Sequence, residues 1–364
     1  MGGNEVRFLD AVGLLLRYSM IETEQGSKGG YSMHPVVHQW ASYLDGQRQE
    51  DEWARLALAV VGQSVPEGKT REYWVVQRKL IPHAEMVRRW IQKAVSRWYI
   101  GDELMIDSLH MLGILYASQG KLPEAEAMYK RALEGNEKAL GQDHTSTLIT
   151  VNNLGNLYKN QGKLPEAEAM YKRALEGNEK AIGQDHTSTL SMVNNLGILY
   201  ADQGKPPEAE EMYKRALKGY EKALGQDHTS TLNTVNNLGS LYADQGKLSE
   251  AEAMYKRALE GNEKALGQDH TSTLITVNNL GSLYADQGKL SEAEAMFKRA
   301  LEGKEKALRR DHTSTLNTVK NLGILYADQG KLPEAEAMYK RALEGYEKVL
   351  GLTHPNTHDV TRNL

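Results

Sequence analysis

Between residues 148 and 160 the apolar side chains collect on one side of a helical wheel. Leu148, Val151, Leu154, Leu157 and Tyr158 share it with Gly155, while Ile149, Asn152, Asn153, Asn156, Lys159 and Asn160 occupy the other. Such spacing predicts an amphipathic helix and shows none of the alternation of a strand. Residues 164–182 repeat the pattern with Leu164, Ala167, Met170, Tyr171, Ala174, Leu175, Asn178, Ala181 and Ile182 in one stripe. Pro165 sits near the start of this second helix, where a missing N–H costs nothing, and Gly162-Lys163 supplies the turn before it. Glu168 with Lys172 and Glu176 with Lys180 are i,i+4 pairs in the favourable order on the polar side.

The two-helix pattern recurs every 42 residues. Asp-His pairs fall at 143–144, 185–186, 227–228, 269–270 and 311–312, with Thr353-His354 as an altered sixth copy, so six units cover about 103–354. A period of this length means stacked supersecondary units, none able to bury its apolar face alone. The expected fold class is all-α.

Within each unit, small residues face large ones: Gly155, Ala167 and Ala174 let backbones approach while Tyr158 and Tyr171 fill the space beside them. Leu154-Gly155, Tyr158, Ala167, Tyr171 and Ala174 resemble the tetratricopeptide signature, and they recur in every unit, with Phe297 once replacing the second tyrosine. The 42-residue period and the phrases NNLG and YKRALEGNEKALG resemble repeats of the kinesin-light-chain type. The resemblance implies a right-handed superhelical solenoid whose first helices line a concave groove. The proline that usually ends the second helix in this family is absent. The helix continues through Gly177, which costs about 0.5–1 kcal/mol relative to Ala and either bends it or permits a close contact.

The N-terminal third has a different pattern. Residues 5–17 and 36–44 read as helices flanking two short strands, 19–23 and 31–33, around the turn Gly26-Ser27-Lys28-Gly29-Gly30. The phrase YSMHPVVHQWA resembles the Met-His motif closing the winged-helix part of STAND-type NTPases, the group that contains NB-ARC immune receptors. That resemblance places His34 toward nucleotide phosphates, although Pro35 stands where the family usually has Asp. Fungal members of the group often join such a segment to kinesin-light-chain-like repeats, and their NTPase domain lies upstream. The expected organisation is a winged-helix-like remnant at 1–44, bridging helices at 45–102, six repeats at 103–354 and the start of a seventh unit at 355–364. In the bridge, Trp53, Leu56 and Val60 follow helical spacing and Pro82 interrupts the last stretch. The array stops without the polar cap that solenoids need, so we expect a fragment of a longer receptor or a shortened gene.

Composition narrows the chemistry. Lys and Arg number 44 against 48 Asp and Glu, a net charge of −4, which gives phosphate-backbone binding little support. There is no cysteine, hence no disulfide, thiol nucleophile or Cys-ligated metal. No apolar run approaches the ~18 residues of a membrane span and no secretory signal opens the chain, so a cytoplasmic setting is the default. Gly62 to Thr70 (GQSVPEGKT) imitates a phosphate loop but has five residues between its glycines where four are needed, follows a helical run, and loses a donor at Pro66. His34 and His38 have a zinc-compatible spacing without a third ligand. His144, His186, His228, His270 and His312 each sit in a separate inter-unit loop, about 10 Å from the next, and cannot share an ion. We expect no catalytic residue, no cofactor and no metal.

The polar side of the first helices is more informative, because copies within the chain can be compared. Position 149 varies as Ile149, Ser191, Asn233, Ile275, Asn317; position 156 as Asn156, Ile198, Ser240, Ser282, Ile324; and Lys159 faces alanines in later units. Asn153, Asn195, Asn237, Asn279 and Asn321 never change, nor do Asn152, Asn194, Asn236 and Asn278 until Lys320. Asn is a mediocre helix former, so two amides per turn need a reason, and an amide ladder suits the backbone of an extended peptide. Asp202, Asp244, Asp286 and Asp328, preceded by Asn160, form an acidic row near the helix C-termini, where the dipole disfavours them. The row favours basic or neutral ligands, with Lys320 opposing. Asn178, Tyr220, Asn262, Lys304 and Tyr346, in the second helix's stripe, are expected beyond the first helix's reach, along a groove edge. The expected function is non-catalytic recognition of a protein or peptide by the sensor part of a STAND receptor, with no nucleic acid or membrane partner. A cargo or scaffold adaptor is the alternative and a nucleotide hydrolase the third possibility.

Overall fold

The structure is a computed structural model that describes residues 21–23, 31–33, 47–66, 73–93, 102–352 and 355–364. It divides into two compact units, residues 1–61 with 82–99 and residues 62–81 with 100–364. In the first, strands β1 (Ile21–Thr23) and β2 (Tyr31–Met33) pair antiparallel, Ile21 opposite Met33 and Thr23 opposite Tyr31. The helices expected at 5–17 and 36–44, and His34, Pro35 and His38, lie outside the described residues.

Two helices follow, α1 (Gln47–Gln63) and α2 (Tyr73–Lys93). The buried positions of α1 include Ala54, Leu58, Ala59, Val61 and Gly62, whereas Leu56 and Val60 of the expected stripe are 39% and 37% exposed. Small residues on the true face had hidden it. Pro82 does not interrupt α2, which continues for more than two turns beyond it. An interior proline costs about 3 kcal/mol, and burial of Ala84, Val87 and Ile91 holds the following turns in place. Gly62 lies in α1, where an added Cβ would meet Ser108 Cα at 2.6 Å. Close packing therefore explains that glycine, and Gly68, Lys69 and Thr70 lie outside the described residues.

From residue 103 the chain is a run of helix pairs: α3 (Glu103–Ser118) with α4 (Leu122–Leu140), α5 (Thr145–Asn160) with α6 (Leu164–Ile182), α7 (Thr187–Asp202) with α8 (Pro206–Leu224), α9 (Thr229–Asp244) with α10 (Leu248–Leu266), α11 (Thr271–Asp286) with α12 (Leu290–Leu308), and α13 (Thr313–Asp328) with α14 (Leu332–Leu350). A further helix, α15 (Pro355–Asn363), packs on α14. Each helix packs most heavily on its partner in the pair, and each second helix then packs on the first helix of the next pair. The result is an all-α solenoid. No described helix is long and apolar enough to cross a membrane.

Packing within a pair rests on size complementarity. An added Cβ on Gly155 would lie 2.7 Å from the Tyr171 ring, and one on Gly177 would lie 2.6 Å from Leu148. The glycine inside the second helix therefore permits a close contact. Leu148, Val151, Ala167, Tyr171 and Ala174 are fully buried. The pair reverses direction at Gly162, φ +74°, where Gly162 N–H donates to the Lys159 carbonyl and Lys163 N–H to that of Tyr158. These are the two bonds of a Schellman stop.

Candidate functional site

The first helices carry the candidate surface. Consecutive first helices from α5 to α13 come within direct reach of one another, and consecutive second helices do so less. The first-helix layer is thus the more closely spaced. Each of these helices from α5 to α13 is started by its histidine: Nδ1 of His144, His186, His228, His270 and His312 accepts from the N–H two residues on, at 3.1–3.2 Å. The following threonine, as Thr147, donates to the Gly141 carbonyl that closes the preceding helix, 2.8 Å away. The threonine bond fixes the first helix against the repeat before it.

Its polar side then resolves into rows. The outermost holds Ile149, Ser191, Asn233, Ile275 and Asn317, all exposed, with Ile149 and Ile275 at 46% and 45%. Beside it lie the invariant amides, which are half-buried because they bond to each other across repeats. Asn195 Nδ2 donates to Asn152 Oδ1 at 3.0 Å, Asn237 to Asn194 at 3.3 Å, and Asn279 to Asn236 at 3.4 Å. The constancy of Asn152, Asn153, Asn194, Asn195, Asn236, Asn237, Asn278 and Asn279 thus has a reason inside the fold: each rung ties two neighbouring helices. In the first repeat the rung is His110, whose Nε2 meets Asn153 Nδ2 at 3.2 Å and whose Nδ1 meets Thr150 Oγ1 at 3.0 Å. Burial pushes its pKa down to about 4, so it stays neutral. His110 was missed in the sequence, although it stands 42 residues before Asn152.

The third row, Asn156, Ile198, Ser240, Ser282 and Ile324, sits over the buried tyrosines. Tyr171 donates its hydroxyl to Asn156 Oδ1 at 2.6 Å and Tyr255 to Ser240 Oγ at 2.9 Å, while Ile324 has no such tie and is 40% exposed. At the helix C-termini, Lys159 pairs with Asp202 at 3.5 Å. Asp202, Asp244, Asp286 and Asp328 are exposed, as is Asn160; among the described residues no ion pair reaches Asp244, Asp286 or Asp328. Burial and the neighbouring Asp286 raise the pKa of Asp244. Lys320 and Asn321 are half-buried.

The second helices contrast with this. Arg173 pairs with Glu137 at 2.5 Å, Arg257 with Glu221 at 2.5 Å, and Arg215, Arg299 and Arg341 repeat the link with Glu179, Glu263 and Glu305. Glu126, Glu252 and Glu294 each hold an i+4 lysine, a glutamine from the next repeat and a second lysine. Hydrogen bonds from Lys130, Lys256 and Lys298 lead in holding their pKa values down at about 2.

Asn178, Tyr220, Asn262, Lys304 and Tyr346 line no groove edge: all are at most 5% exposed. They are within reach of first helices after all. Asn262 Nδ2 donates to Thr276 Oγ1 at 3.4 Å and Lys304 Nζ to Thr318 Oγ1 at 2.9 Å, both on the next repeat. Tyr220 and Tyr346 instead reach the first helix of their own repeat, at the Thr187 carbonyl and Asn317 Oδ1. The stripe that packs a helix in its own unit is wide enough to pack the following one.

Comparison with known proteins agrees with this architecture. A nucleotide-binding leucine-rich repeat (NLR)-like protein of Hyaloscypha variabilis is 34% identical over 145 residues, 40% of this chain and 14% of that protein's length. The crystal structure of a Podosopora anserina putative kinesin light chain with nearly identical TPR-like repeats covers 56% of this chain and 97% of its own, at 24% identity and TM-score 0.46. NprR, solved in complex with its cognate peptide NprX, covers 87% of this chain and 84% of its own, at 13% identity and TM-score 0.56. Tetratricopeptide repeat matches run from 102–180 through 146–222, 186–264, 230–306 and 272–348 to 311–364. With helix pairs, small-against-large packing and matches over most of its length, the chain belongs to the tetratricopeptide repeat family.

Proposed function

We propose that the first-helix face recognises an extended segment of another protein and performs no chemistry itself. The observation that carries this is a division of labour. The amide pairs and the Arg–Glu ties that hold neighbouring repeats together are nearly constant, while the rows of Ile149 and Asn156, which differ between copies, lie on the same helix face. A solenoid of this fold, NprR, holds a peptide. The variable rows select side chains, the amides of Asn152, Asn153, Asn160, Asn194, Asn195, Asn236, Asn237, Asn278, Asn279 and Asn321 offer spare donors and acceptors, and Asp202, Asp244, Asp286 and Asp328 disfavour acidic ligands. Lys159 and Lys320 are the cations on this face.

The resemblance to an NLR-like protein supports the sensor part of a STAND-type receptor as the setting. There, the winged-helix-like segment at 1–44 and the helices at 45–102 connect the array to an NTPase domain. The adaptor reading rests on the kinesin-light-chain resemblance.

The test is selection from a random peptide display library on the full chain, repeated with Ile149, Ile198, Ile275 and Ile324 replaced together by Ser. We expect selected peptides to lose at least ~10-fold in affinity, about 1.4 kcal/mol. Unchanged affinity, with unchanged helical circular dichroism, would remove this face from recognition.

A further inference from the structure

The five joints between the six repeats are built to one plan, and the last departs from it three times. The first departure is the amide rung. From Asn153 to Asn279, each repeat's second asparagine bonds back to the residue at the Asn152 position of the repeat before. At the fifth joint both rung partners, Asn278 and Asn321, are present, yet among the described residues no hydrogen bond joins them. Asn278 Oδ1 takes the hydroxyl of Thr318 at 3.0 Å, as Asn194 Oδ1, which also keeps its rung, takes that of Thr234 at 3.2 Å.

The second departure is in the backbone. The second helices of the other repeats are followed by Gly141, Gly183, Gly225, Gly267 and Gly351, with φ between 88° and 93°. Here the residue is Arg309, φ 75° and ψ 168°, among the described residues the one non-glycine with positive φ. This region is essentially confined to glycine, and a side chain held there stores strain.

The third departure is buried. Where three joints have an asparagine and one Tyr220, the fifth has Lys304, 3% exposed. Its ammonium donates to Thr318 Oγ1 and, at 3.3 Å, to the Ser314 carbonyl, with no carboxylate near. A buried ammonium without a counter-charge is a standing cost to the closed joint. Burial lowers its pKa to about 8. The titratable group facing it is His312, whose own pKa is lowered by burial and then by Lys304.

All three changes fall on or beside the first-helix side. The ties on the second-helix side are kept: Arg341 with Glu305 between the two second helices, Gln329 and Lys331 of the intervening turn with Glu294, and Lys348 with the loop residue Asp311. We infer that the joint between the fifth and sixth repeats is a built-in hinge: it opens on the first-helix side about the intact second-helix ion pairs, and residues 313–350 move as one body. Opening there changes the spacing between Ile275 and Asn317 while leaving the four earlier joints closed.

The absence of cysteine makes the test simple. Nitroxide labels at Asn233→Cys and Asn317→Cys span the fourth and fifth joints. Labels at Ser191→Cys and Ile275→Cys span the third and fourth, at the same exposed position and about 20 Å apart in either case. Pulsed electron resonance is expected to give a broad distance distribution for the first pair and a narrow one for the second. The double reversion Lys304→Asn and Arg309→Gly installs what earlier joints already carry, and should narrow the first distribution to match the second. In hydrogen exchange the same reversion should slow amides of 313–328 by at least ~5-fold, the lower end of what strain at Arg309 alone supplies. Equal widths in the two pairs, or a distribution and exchange rates indifferent to the reversion, would overturn the hinge.

Discussion

The two layers of the array solve the same stacking problem with different chemistry. Second helices are joined by an ion pair repeated along the array, from Arg173 with Glu137 to Arg341 with Glu305. First helices are joined by neutral amides, and their aspartates from Asp244 onward stand without counter-charges. Exposed ion pairs give about 0–1 kcal/mol each and half-buried neutral hydrogen bonds about 0.5–1.5 kcal/mol. The second-helix layer thus spends charged side chains on its ties, while the first-helix layer joins neighbours through neutral amides and keeps its aspartates and variable positions available. A recognition surface needs that spare capacity.

Both layers share one core, and breaking it should erase the contrast. Tyr213→Ala should cost about 3–5 kcal/mol in urea denaturation, because the ring fills the space left by Gly197. Gly197→Ala should also destabilise, by about 1–3 kcal/mol, despite alanine's better helix propensity, since the new Cβ would meet the ring at 2.7 Å. Sharpening the contrast takes paired losses. Asn195→Ala with Asn237→Ala should cost about 1–3 kcal/mol in total, nearly unchanged by salt. Arg215→Met with Arg257→Met should cost about 2 kcal/mol or less and lose most of that effect in 1 M NaCl.

Acid separates the layers too. Glu126, Glu252 and Glu294 have pKa values depressed from 4.5 to about 2, so their contribution is present above pH 4.5 and is lost as pH falls toward 2. Melting temperature should decline through that window, and less steeply after Glu252→Gln. The smallest effect comes from the opposite layer. Asp244 has a raised pKa, so its ionisation weakens the fold as pH rises through the carboxylate range, and Asp244→Asn should give a slight stability gain at pH 7.

Most of the architecture was legible from one chain read against itself. The 42-residue period, the glycine-against-tyrosine packing and the turn at Gly162 are local, and local pattern carries them. What escaped is what joins copies. Asn195 meets Asn152, 43 positions away, and nothing in a 42-residue period says that the bonding partner lies one residue out of phase. The invariance of the amides was visible; its cause was not. Asn262 and Lys304 were placed correctly in a packing stripe, yet only stacking geometry reveals that the stripe also serves the next repeat. His110 was hidden by its different residue type. The short strands, expected at 19–23 and 31–33 around a glycine-rich turn, lie at 21–23 and 31–33.

The central claim is that variable positions on the first helices contact a polypeptide ligand. A photo-crosslinking residue at Asn233, on the first-helix face, is to be compared with one at the exposed Lys256 of the second helix, using a library-selected peptide and the full chain. The account predicts covalent capture from Asn233, abolished by unlabelled peptide, and none from Lys256. Capture from Lys256 with none from Asn233 would contradict it.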